Sequence, residues 1–375
     1  MRNCVLIAAA TVLLSLPAAL HSQTPARTSV GDGWVVEGAD RAAHAKIAPY
    51  LGREALWLRA GTQAMRSGVQ MADGTIEFDL APMKEGDFAA VMFRRQGAIN
   101  HENIYLRLSR SGEFMATQYA PRMNGSSTWQ LYPEFTGKTD WPREQWTHVR
   151  IELRGSKMQL FAGAGATPVL SVDRLRHESG AGEVGFWALV NDKPQEWAAA
   201  VANVVIRPEG QAAPRATATA PAAGIVPAWQ VAGTATAAAP GAAVQVPADL
   251  AWSSVPTEES GLVNLNRRFR AEPGKRKTAY ARATVTSDAA RRVRLGVGYS
   301  DDVTVFLNGE AIYSGVNGWN SRYAAFVGFV DPRQETVVLP LRAGDNDLLL
   351  AVTDDQFFGW GFSARLDPQA GVTVR

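Results

Sequence analysis

Short runs along the chain alternate apolar and polar side chains with period two. Ile76, Phe78 and Leu80 alternate with Glu77 and Asp79; Ile104, Leu106 and Leu108 with Tyr105 and Arg107; Val149, Ile151 and Leu153 with His148, Arg150 and Glu152. Successive side chains of a strand point to opposite faces, so each run predicts a strand with one core face and one wet face. No window of comparable length carries a helical stripe. The first half is therefore expected to be a β-sandwich.

The pattern resumes further on, where Tyr280, Arg282 and Thr284 oppose Ala281, Ala283 and Val285, and Val293, Leu295, Val297 and Tyr299 share a face. Val303, Val305 and Leu307 lead into Asn308-Gly309, which supplies positive φ at both centres of a type I′ hairpin turn. Val337, Leu339 and Leu341 run into the turn 343–346, and Leu348, Leu350 and Val352 form a further strand. A second sandwich is predicted. Between the two, PEGQAAPRATATAPAAG lacks aromatic residues and any aliphatic larger than alanine, and reads as a mobile linker. The fold class is all-β, with sandwiches over residues 29–208 and 226–375 joined by an Ala/Thr/Pro-rich linker over 209–225. Each half is expected to fold alone.

The first residues, MRNCVLIAAATVLLSLPAALHSQ, combine an arginine, an apolar run too short to span a bilayer, and small residues up to Ser22. Residues 1–22 read as a secretory signal peptide, and the chain as periplasmic or extracellular with no integral membrane segment. The single cysteine, Cys4, falls inside this segment. Formal net charge is +2, from 38 basic and 36 acidic residues. The basic run Lys275-Arg276-Lys277 with Arg291, Arg292 and Arg294 reads as a solvated surface, so no nucleic-acid partner is expected.

GDGWVVEG, ADGTIEFDL, GDFAAVMFRR, ENIYLRLSRSG, QWTHVRIEL and GEVGFWAL resemble the concanavalin A-like or laminin G-like jelly rolls, including the branch near the 3-keto-disaccharide hydrolases. YSDDVTVFLNGEAIYSG, LPLRAGDNDLLLAVTD and GWGFSARL resemble galactose-binding-like domains. Both resemblances imply jelly-roll architecture and a pull toward carbohydrate. The second places Asp301 and Asp302 at a strand entry, where a carboxylate accepts backbone N–H bonds; a calcium or ligand role is the alternative. It also gives Trp360 a core-packing role.

Glu77 and Asp79 share a strand face at glycosidase-like separation, but Pro82 stands where an E-x-D-x-x-E pattern has its last glutamate, and a solvated outer face is the expected role. His44, His101, His148 and His177 show no metal-binding spacing. No catalytic residue, metal or cofactor is assigned. The richest cluster is HENIYLRLSRSGEFMATQYAPRMNGSSTWQLY. Sugars are held by rings against their C–H faces and by guanidinium or amide groups on their hydroxyls. The candidate ligand-binding set is Arg94, Tyr105, Arg107, Gln118, Tyr119, Asn124, Trp129, Tyr132 and Trp319. Arg94, Tyr105, Arg107, Gln118 and Trp129 are expected to converge on one concave surface.

The favoured function is a secreted carbohydrate-binding or surface-recognition protein with a carbohydrate or glycoconjugate partner. A hydrolase acting on a glycoside or 3-keto-glycoside through the first domain is the alternative. A structural partner domain in an envelope complex is the third.

Overall fold

The computed structural model describes residues 26–37, 43–177, 180–209, 222–237, 239 and 242–375. Residues 1–22, read from sequence as a signal peptide, and residues 210–221 of the expected linker lie outside them. The described residues are built from antiparallel strands, with single-turn 3-10 helices at Leu108–Arg110 and Leu265–Arg267 among the connections.

Two sheets face each other in the first sandwich. The front sheet runs Arg27–Gly31, Trp34–Glu37, Gln63–Arg66, Glu183–Leu189, Phe88–Gly97, Asn100–Arg107, Arg122–Met123, Ser126–Ser127; Thr117–Tyr119 also pairs with Asn100–Arg107. The back sheet runs Leu170–Val172, Lys157–Ala162, Thr147–Arg154, Gly74–Pro82, Trp197–Pro208, Arg53–Arg59, Ala45–Tyr50. As the alternation predicts, Ile76, Phe78, Leu80, Val149, Ile151 and Leu153 are sealed between the sheets with Ile104 and Leu106. Each such side chain stabilises the fold by roughly 1.5–3 kcal/mol relative to exposure.

Glu77 and Asp79 sit on the back sheet's outer face. Asp79 is held by Arg53 at 2.5 Å, His148 Nδ1 at 2.9 Å and Asn203 Nδ2 at 2.7 Å, and Glu77 pairs with Arg207. These carboxylates are engaged in cross-strand ion pairs.

In the second sandwich one sheet runs Trp252–Pro256, Ala228–Thr236, Lys277–Ser287, Gly344–Asp354, Asp302–Leu307, Glu310–Val316, with Val372–Val374 added beside Lys277–Ser287. The other runs Leu262–Asn264, Gly361–Leu366, Arg291–Ser300, Glu335–Leu341. Asn308 and Gly309 take φ of 53° and 85° between the paired Leu307 and Glu310, the geometry a type I′ turn needs. The turn after Leu341 crosses from one sheet to the other, because Glu335–Leu341 pairs with Arg291–Ser300 while Gly344–Asp354 pairs with Lys277–Ser287 and Asp302–Leu307. Trp229, Trp360 and Phe362 fill this core. Gly224 and Ile225, placed in the linker by sequence, already belong to this sandwich: the Gly224 carbonyl accepts from Leu366 N–H at 2.9 Å and Ile225 bridges to Arg365.

The sandwiches meet across a buried contact. Gln130 of the first donates from its backbone to the Phe358 carbonyl at 3.2 Å and accepts from Val330 N–H at 2.9 Å. Its side chain accepts from Ser300 Oγ at 2.8 Å and donates to the Val327 carbonyl at 3.0 Å. Asn266 Nδ2 donates to Ser126 Oγ at 2.8 Å, and Asn264 Nδ2 to Tyr132 Oη at 3.0 Å. Leu131, Tyr132, Leu262 and Val330 form an apolar cluster beneath these bonds. At its edge Arg174 and Arg176 reach Glu259 at 2.7 and 3.2 Å. Gly359, at φ 137°, lies so close to Leu131 that a Cβ there would come within 2.8 Å of Leu131 Cγ.

Candidate functional site

The candidate site lies on the outward face of the front sheet. Ala89, Val91, Phe93, Ile104 and Leu106 point inward. The opposite parity places Phe88, Ala90, Asn103, Tyr105 and Arg107 outward. Gln118 is the cross-strand partner of Tyr105, so it shares that face and Tyr119 takes the other. Trp187, after the inward Phe186, joins from the adjoining strand.

These side chains form one connected platform. The Tyr105 and Trp187 rings meet edge to face with centroids 5.3 Å apart, and Phe88 approaches Tyr105 at 6.4 Å. Trp187 Nε1 donates to Asn103 Oδ1 at 3.0 Å, and the Tyr105 hydroxyl bonds with Ser127 Oγ at 2.6 Å. The Arg107 guanidinium lies 5.5 Å from the Tyr105 ring centroid and 5.6 Å from that of Trp129. It donates to Gln118 Oε1 at 2.6 Å, and Gln118 Nε2 donates to the Trp129 carbonyl at 2.7 Å. Burial pushes the Arg107 pKa down to about 10, which leaves it cationic at neutral pH.

The second sandwich walls one end. Phe329 and Phe358 pack on Trp129 at 6.0 and 5.4 Å, and half-exposed Trp319 packs on Phe358 at 6.1 Å. Trp319 is held by Gln356, whose Oε1 accepts its N–H at 2.5 Å and whose Nε2 donates to its carbonyl at 2.9 Å. Gln356 N–H in turn donates to Asp301 Oδ2 at 2.8 Å, as does Asp355 N–H. Asp301 thus caps backbone N–H groups, those of the 355–356 loop. Asp302 pairs with Arg276 at 2.9 Å.

Of the residues singled out from sequence, Tyr105, Arg107, Gln118 and Trp129 come together, with Trp319 linked through Phe358. Arg94 does not join them. The register slips between Phe93 and Gly97, and Arg94 at φ 47° turns its guanidinium to buried Asp73 at 2.8 Å and to the Ala72 and Gly155 carbonyls. Tyr119 points into the core, donating to Glu102 at 2.6 Å. Asn124 and Tyr132 serve the contact between sandwiches: Asn124 Nδ2 donates to the Asn266 carbonyl at 2.6 Å and Tyr132 Oη to Glu258 at 3.0 Å. Trp187, Asn103, Phe88 and Phe329 were not singled out. Inward-outward parity in GFWAL was the available signal for Trp187.

A cleft of about 850 Å³ lies elsewhere on the junction, lined among others by Glu134, Asp331, Asp367, Arg294, Arg333 and Arg365. Arg333 is spent on Asp331. Among the described residues no group of His, Cys, Asp and Glu side chains is placed to hold a metal ion.

Below the 355–360 loop two carboxyls are buried together. Burial lifts Asp301 to about 6, against the backbone N–H bonds it accepts; burial and then the Asp301 charge lift Asp354 to about 7. Asp302, Asp355, Arg276 and Lys277 surround them. One Asp354 oxygen is sealed without a partner. A carboxyl whose folded pKa lies above its unfolded value binds more protons when folded. Its contribution is therefore full below about pH 4 and is lost as pH rises through about 6 to 7. Asp354→Asn should remove this loss, stabilising the protein by on the order of a few kcal/mol at pH 8 but not at pH 4. Thermal unfolding of both forms across that range tests it; a parallel pair of profiles refutes the assignment.

No protein-family model and no curated protein matches the chain. Among solved structures, it is similar to the carbohydrate-binding module CBM66 from Bacillus subtilis, at 16% identity and TM-score 0.34 over 46% of this chain and 93% of that one. It is similar to a Bacillus subtilis protein with a galectin-like fold, at 15% identity and TM-score 0.33 over 46% and 90%. It is also similar to the Bacillus licheniformis β-glucanase, at 11% identity and TM-score 0.33 over 50% and 99%.

Proposed function

We propose that the chain is an exported saccharide-binding or surface-recognition protein whose ligand surface is the outward face of the front sheet. The observation that carries this reading is the Tyr105, Trp187, Arg107, Gln118, Asn103 and Trp129 platform. Its partly exposed Trp187 and Trp129 rings, backed by buried Tyr105, offer apolar faces to sugar C–H groups, and its guanidinium and amides are already oriented by bonds to one another. The carboxylates Glu37 and Glu183 are engaged by Arg27 and Arg95, and the platform itself is built from rings, amides and a cation. Binding rather than hydrolysis is what this set performs.

The export reading rests on residues 1–22, and among the described residues no helix is long and apolar enough to cross a membrane. A glycan array probed with the purified protein, with a hydrolysis assay on every ligand found, tests the proposal. Trp187→Ala is expected to weaken the best ligand roughly tenfold or more by removing a ring face. Unchanged affinity, or cleavage of the ligand, would count against it.

A further inference from the structure

Four arginines are buried among the described residues: Arg94, Arg95, Arg107 and Arg176. Three meet carboxylates. Arg94 pairs with Asp73, Arg95 with Glu37 and Glu183, and Arg176 with Glu134, Glu258 and Glu259. Arg107, only 6% exposed, has no carboxylate partner among the described residues. Its protein acceptors are two neutral oxygens, the Met115 carbonyl at 3.1 Å and Gln118 Oε1 at 2.6 Å. Its Nε has no hydrogen-bond partner among the described residues and is not sealed from solvent. After burial, the charge that lowers its pKa is that of another cation, Arg110.

A buried charge is ordinarily paired, and this chain follows that rule at its other three buried guanidinium groups. The Arg107 guanidinium lies on the proposed ligand face, between the Tyr105 and Trp129 rings. A guanidinium presents parallel N–H donors matched to carboxylate or sulfate oxygens. The geometry points to an anionic saccharide as the ligand, with its uronate carboxylate or sulfate ester seated on Arg107 and its sugar rings on Tyr105, Trp187 and Trp129. This rests on the saccharide-binding reading and names the ligand class for the same surface.

The test uses the full chain and three calorimetric titrations: an oligogalacturonate, the same oligosaccharide after carboxyl reduction, and its sulfated derivative. An anionic member is expected to bind at least tenfold tighter than the reduced one, and that preference should shrink as salt is raised from 50 to 500 mM. Arg107→Gln should erase the difference between charged and reduced ligands; Arg107→Lys should restore part of it. The salt series on the unaltered protein keeps the test decisive if a variant fails to fold. Preference for the sulfated over the uronate member assigns the anion as a sulfate ester. Equal, salt-independent binding of charged and reduced ligands overturns the inference and leaves the saccharide reading standing. Binding of none of the three overturns both.

Discussion

Asn266→Ala is expected to destabilise the protein by roughly 2–6 kcal/mol, although residue 266 lies in neither core. Asn266 is fully buried; its Oδ1 accepts from Trp360 N–H at 2.8 Å and its Nδ2 donates to Ser126 Oγ at 2.8 Å. Alanine leaves both partners buried and unpaired, and each such orphan costs about 1–3 kcal/mol. The Trp360 bond holds the segment that closes the second core, while the Ser126 bond reaches the first sandwich, so one substitution loosens both. Arg333→Ala is the control. Its partner Asp331 lies two residues away and its own side chain is 88% exposed, so the change should stay within about 0.5 kcal/mol. Denaturant unfolding of the two variants decides: comparable midpoints would mean that the contact between sandwiches contributes no stability.

A cut at Arg215, the sole basic residue of segment 210–221, should leave the two halves bound together. Each has its own apolar core, one around Phe78 and Phe186 and the other around Trp229 and Trp360, so each is expected to fold. Separation, however, would expose Leu131, Tyr132, Leu262 and Val330 and strip the partners from Gln130, Asn264 and Asn266. Trypsin-nicked protein should therefore elute at the size of the intact chain in native gel filtration and run as two bands under denaturing conditions. Halves expressed apart should unfold cooperatively at lower temperature than the whole and recover on mixing. Fragments that separate on native gel filtration would instead support two independent modules on a mobile linker.

The strands were legible because period-two alternation is a local signal. It placed Ile76, Phe78, Leu80, Ile104 and Leu106 between the sheets and Tyr105 and Arg107 on the opposite face, but that face is not wet at these positions, because further packing buries both. Parity also decides between Gln118 and Tyr119, but only once the pairing of Tyr105 with Gln118 is known, and pairing joins distant segments. Arg94 was misplaced because a bulge shifts register without changing residue type. The contact between sandwiches was invisible for a different reason. Gln130, Asn264 and Asn266 are all at most 2% exposed, yet in sequence they resemble surface amides. What buries them is the other half of the chain.

The four hydrogen bonds made by Gln130 bear on how this protein can be re-engineered. They run to Phe358, Val330, Ser300 and Val327, which lie on three separate stretches of the second sandwich. Grafting the first sandwich alone onto an unrelated scaffold would carry the Tyr105 and Trp187 rings but leave Trp129 without Phe329 and Phe358 behind it. On the proposed reading, the smallest transplantable binding unit is then the pair of sandwiches together, and directed-evolution libraries confined to one half would sample only part of the proposed ligand surface.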